Sequence, residues 1–107
     1  MNRVGFYFKI KPELKNEYKK AHDEIWPELV IAMRDCGIHN YSIFFREDGI
    51  CFAYMEVEGD FDKQMEKLGE FEVTKRWQKI NDKRFENEDK SIQGPEMKKL
   101  EEVFHMD

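Results

Sequence analysis

Long apolar runs are missing from this 107-residue chain. No stretch approaches the roughly 20 residues that a membrane helix needs, and the N-terminus carries no signal-like apolar segment. A cytoplasmic protein without a membrane partner is therefore expected. Positive charge is not in excess either: 18 Lys and Arg face 23 Asp and Glu, for a net charge of −5. A phosphate-backbone partner wants a basic stripe, so nucleic acid is not an expected ligand. Cysteine is scarce, and Cys36 and Cys51 lack metal-like spacing, which suits two reduced, buried thiols. Serine occurs only as Ser42 and Ser91, and no Gly-x-Ser-x-Gly elbow exists. The six glycines are scattered and build no phosphate cradle. His22, His39 and His105 form no paired ligand motif, so the spacing gives no signal for a metal.

What remains is a small, densely charged globule rich in aromatic residues. A charged fraction of 38% alongside 14% aromatics fits one compact domain spanning residues 1–107. Val4, Phe6, Phe8 and Ile10 alternate with polar or small residues and predict a strand. Pro12 suits the first turn of a helix that runs through Tyr18 and His22. Pro27 cannot continue that helix and biases Trp26 toward extended angles, so a break is expected around residues 23–26. Pro27 then opens a second helical piece that stops at Gly37. Strands over Asn40–Arg46 and Ile50–Val57 flank Asp48-Gly49, a hairpin turn signal. Asp60 caps a helix over Phe61–Leu68, and another helix after Gly69 carries Val73, Trp77 and Ile80. The chain from Asn81 to Met97 is polar and loop-like, and Val103–Met106 reads as a last short strand.

This β-α-β-β-α-β order predicts an α+β, ferredoxin-like fold, an antiparallel sheet with helices on one face. Both sides of the second and third strands are apolar, however. The uncovered face calls for a partner, and a second copy packed sheet against sheet is the expected cover.

The chemistry concentrates between Tyr18 and Leu29. Tyr18, His22 and Trp26 recur every four residues and would share a helical face. His22 titrates near neutrality and is the best acid or base available, although the residues alone leave it open to a structural role. Tyr18, Tyr41 and Trp77 are equally open between a binding wall and ordinary packing. Trp26 is expected to anchor the kink against the sheet. His39 and His105 read as structural or peripheral, and the charged run 86–90 as a solvated loop long enough to fold over a pocket.

The stretch His22-x-x-Ile25-Trp26-Pro27-Glu28-Leu29, preceded by Tyr18, resembles the L-rhamnose mutarotase family. So do Gly37-Ile38-His39-Asn40-Tyr41-Ser42-Ile43, Phe52-Ala53-Tyr54-Met55-Glu56-Val57, Arg76-Trp77 and Glu102-Val103-Phe104. The resemblance implies a homodimeric enzyme with a dimeric α/β-barrel architecture that interconverts the anomers of a 6-deoxy sugar. It implies no metal and no organic cofactor. His22 would be the proton donor, while Tyr18, Tyr41 and Trp77 would bind the sugar. A second Trp of the family's pair is here Gln78, an amide able to bond a hydroxyl, which raises L-fucose as an alternative to L-rhamnose. A small cofactor-free monooxygenase and a sugar-binding module of the same fold are the other readings.

Overall fold

The computed structural model describes residues 1–107. Four antiparallel strands, β1 (Asn2–Lys9), β2 (Ile38–Phe45), β3 (Ile50–Val57) and β4 (Lys98–Leu100), form one sheet in the order β2-β3-β1-β4. Between β1 and β2 lie α1 (Lys15–Asp23) and α2 (Pro27–Asp35), and between β3 and β4 lie α3 (Phe61–Glu70) and α4 (Glu72–Asn81). The ferredoxin-like expectation holds, with each crossover helix broken in two. Asn2 faces Val57 and Lys9 faces Ile50, so the centre of the sheet joins segments far apart in the chain.

Alternation in β1 and β3 decides which face is buried. Phe6, Phe8, Cys51, Ala53, Met55 and Val57 point to the helices and are at least 94% buried. Ile10, Tyr18, Cys36 and Ile38 complete this core. Each large apolar side chain so buried stabilises the fold by about 1.5–3 kcal/mol. A smaller cluster of Leu29, Ala32 and Val73 packs α2 on α4, and an Arg76–Glu28 ion pair of 2.8 Å spans the same two helices.

Local chemistry sets the breaks. Pro27 opens α2 behind an extended Trp26. Asp60 caps α3, its Oδ2 accepting from the Lys63 amide at 2.9 Å, a bond that stabilises a helix by about 1 kcal/mol. At the hairpin, Gly49 has φ +95°, and a Cβ there would run into the Ile10 carbonyl. Asp48 braces the turn, and the Arg46 guanidinium holds its carboxyl down to about 2.

Four expectations need correction. Trp26 packs on α4 rather than against the sheet, although the helix breaks after Asp23 as the sequence predicts. β2 starts two residues early, at Ile38, because a bulge between His39 and Ser42 absorbs Asn40 at φ +48°. Gly69 stays helical, and the break falls at Phe71, whose extended backbone ends α3 and begins α4 while its ring packs into both clusters. The last strand is Lys98–Leu100, not Val103–Met106. β1 offers partners only to residues 98–100, and the apolar residues beyond stand exposed.

The outer face of the sheet carries no helix. Phe44, Phe52 and Tyr7 form one row across β2, β3 and β1, with Phe44 66% exposed.

Candidate active site

A cavity of about 850 Å³ opens between the helical layer and the inner sheet face, within the range of small-molecule sites. Tyr18, His22, Tyr41, Trp77 and Gln78, the five residues singled out from the sequence, all line it.

His22 sits in the last turn of α1, one turn after Tyr18. Its Nδ1 lies 2.9 Å from the Tyr18 carbonyl oxygen. A carbonyl can only accept, so Nδ1 carries the proton and Nε2 is left for exchange with a ligand. The Tyr18 ring lies over the imidazole with centroids 4.3 Å apart, and Trp77 meets it edge-on at 5.5 Å. Trp26 in turn meets Trp77 edge-on at 5.3 Å. The kink thus removes Trp26 from the helical face and makes it the backing of the indole that His22 touches.

Burial sets the electrostatics. It lowers the pKa of His22 below its ordinary 6.5. The hydrogen bond to Tyr18 and the Asp23 charge oppose this, while Arg84 adds to it. The neutral imidazole therefore dominates at pH 7. Burial pushes the Tyr18 phenol well up, with the Tyr41 phenol and Cys51 contributing, and raises Tyr41 in the same way. Both phenols therefore stay protonated at neutral pH. Cys51 is raised to about 11 by burial, so its thiol is inert at neutral pH. Asp23, the one carboxylate lining the cavity, pairs with Lys19 at 2.8 Å on the surface.

Arg84 is held in place by a buried relay. Asn81, 1% exposed, donates from Nδ2 to the Trp77 carbonyl at 2.9 Å and accepts from Arg84 through Oδ1 at 2.6 Å. Arg84 also reaches Glu17 on α1 at 3.3 Å. The relay ties the helix bearing Trp77 to the helix bearing His22.

Sequence reasoning missed four contributors. Phe85 packs edge-on against Tyr18 at 6.1 Å and Phe8 at 5.9 Å, because Ile10 and Phe85 pair as an isolated bridge. A lone aromatic in a charged loop was the available signal. Pro95 and Met97 bring the same loop over the cavity. Thr74 lines it one turn before Gln78, and its buried Oγ1 has no hydrogen-bond partner. The i, i+4 spacing of Thr74 and Gln78 was visible in the sequence.

The sheet order and an aromatic-walled cavity lined by two imidazoles, those of His22 and of His39 (read from the sequence as structural or peripheral), define a ferredoxin-like α+β protein with a small-molecule site. A family model for L-rhamnose mutarotase matches residues 3–106. An L-rhamnose mutarotase of Oceanobacillus iheyensis is 38% identical over the full length of both chains. The crystal structure of an L-rhamnose mutarotase from Formosa agariphila, 34% identical, superposes with a TM-score of 0.83 and complete coverage of both chains. A dimeric ferredoxin-like protein from an uncultured marine organism, 15% identical, shares the fold at a TM-score of 0.53, covering 97% of this chain and 95% of that one. The chain belongs to the L-rhamnose mutarotase family, isomerases that interconvert sugar anomers.

Proposed function

We propose that this cavity interconverts the α and β anomers of L-rhamnose, with His22 as the group that moves the proton. The observation that carries this reading is the fixed imidazole: Nδ1 is committed to the Tyr18 carbonyl at 2.9 Å, which leaves Nε2 to exchange. In its protonated form, His22 gives the Nε2 proton to the ring oxygen as the C1–O5 bond breaks. The anomeric hydroxyl releases its proton to water or to Asp23, and the open aldehyde forms. Rotation about C1–C2 turns the other carbonyl face to the O5 hydroxyl. Closure returns the O5 proton to neutral Nε2, and O1 recovers a proton. Tyr18 and Tyr41 hold sugar hydroxyls, and Trp77 offers its face to the ring C–H groups.

Exchange between the two anomeric proton signals, followed by saturation-transfer NMR, tests this. His22→Ala is expected to abolish most of the acceleration while the fold persists. Undiminished exchange would remove His22 from the role.

The same reading makes the protein a one-domain, cytoplasmic homodimer. Its two free thiols suit a reducing compartment. The aromatic row of Phe44, Phe52 and Tyr7 and the exposed Val103, Phe104 and Met106 give a second copy an apolar surface to cover.

A further inference from the structure

We infer that Gly94 is a positioning residue, whose missing side chain lets the Gln78 amide stand at the cavity wall and read a ring hydroxyl of the sugar. The inference rests on the sugar-binding reading of the cavity given above. Gly94 has φ +74°, and a Cβ built there would lie 2.6 Å from Gln78 Oε1, 2.7 Å from Nε2 and 2.8 Å from Cδ. Those are the closest atoms it would meet, and all three belong to the far end of one flexible side chain. Added bulk at position 94 would therefore displace the Gln78 amide rather than the backbone.

The Gly94 peptide cannot retreat instead. Its N–H donates to Asp82 Oδ1 at 2.6 Å, and its carbonyl accepts from Asn87 Nδ2 at 2.8 Å. Asn87 also takes the Glu96 amide through Oδ1 at 3.1 Å. Both polar groups of Gly94 are thus engaged elsewhere and leave the amide of Gln78 to the cavity that it lines. One turn earlier on the same helix, Thr74 Oγ1 is buried without a partner. This edge of α4 holds hydrogen-bonding capacity that the fold does not use. Discrimination among pyranoses that differ in one hydroxyl needs such a group, because a site built to bond a hydroxyl rejects the analogue that misplaces it.

The test measures KM and kcat for L-rhamnose and L-fucose with wild type, Gln78→Ala, Gly94→Asn and the double variant. Asn tolerates positive φ, so it adds a Cβ with little backbone strain. Gln78→Ala and Gly94→Asn are each expected to raise KM for the preferred sugar by about three- to ten-fold, the range of one neutral hydrogen bond. They should move kcat much less and narrow the preference between the two sugars. In the Gln78→Ala background, Gly94→Asn should add nothing further. An unchanged KM in Gln78→Ala, or full additivity in the double variant, would overturn the inference. Gln78→Ala leaves the loop's own hydrogen bonds intact and keeps the test open if Gly94→Asn fails to fold. Wild-type enzyme that accelerates neither sugar would sink the parent reading instead, so the two failures are distinguishable.

Discussion

His22→Gln separates binding from proton transfer. A glutamine amide reaches about as far as the imidazole Nε2 and still bonds a sugar oxygen, but it cannot carry a proton at neutral pH. General acid–base catalysis contributes about 10²–10⁴ in rate, so kcat should fall by that factor, equivalent to about 3–5 kcal/mol in the barrier. KM should stay within a few-fold of wild type, because Tyr18, Tyr41 and Trp77 are untouched. The pH profile adds an independent check. Burial holds the folded pKa of His22 below 6.5, so fewer than about one molecule in four is protonated at pH 7. If the imidazolium is the donor, anomer exchange should rise about ten-fold per unit as pH falls from 8 toward the folded pKa. The glutamine variant should lose that rise. Stability moves the opposite way: the unfolded chain takes up a proton near pH 6.5 while the fold still resists it. Wild type should therefore lose stability as pH drops through 6.5, and His22→Gln should lack that component. Exchange NMR and thermal melts between pH 5.5 and 8 read both. A rate that is flat or falls on acidification, or a glutamine variant within three-fold of wild type, would refute the reasoning.

Three further outcomes follow from the structure. Thr74→Val removes an unpartnered buried hydroxyl at constant shape and should stabilise the fold by about 1 kcal/mol, or roughly 4–8 °C in Tm; a lower Tm would show that the hydroxyl is in use. Phe85→Ala strips the edge contacts to Tyr18 and Phe8 from a half-buried ring. It should cost about 1–2 kcal/mol, less than the about 3–5 of a fully buried Phe, and raise KM several-fold, and an unchanged KM would take Phe85 out of the binding wall. Phe52→Asp puts a charge in the aromatic row of the outer sheet face. Sedimentation should show a dimer for wild type and a folded monomer for the variant; a wild-type monomer would end the homodimer proposal.

Much of the fold was legible because period-2 alternation and backbone chemistry agree along the chain. The Val4–Ile10 alternation, Pro27, Asp48-Gly49 and Asp60 each mark a boundary through a physical requirement that the structure respects. Where the reading failed, tertiary packing decided. The burial of the Phe71 ring moved the α3–α4 break away from Gly69, and pairing with β1 selected residues 98–100 over the more apolar 103–106. The five expected site residues do share one cavity, since His22 follows Tyr18 by one helical turn and Gln78 adjoins Trp77. Their neighbours were hidden for a different reason. Phe85, Gly94 and Arg84 matter through contacts across the fold, and nothing in their local sequence encodes a partner on another element.

The pairing of β1 with β3 has a kinetic consequence. The imidazole belongs to the first half of the molecule and the indole that touches it to the second, and the two meet only once that distant pairing has closed. During refolding, helical signal should return before turnover does, because individual helices can form while the halves remain undocked. Regained turnover would then time the assembly of the whole molecule.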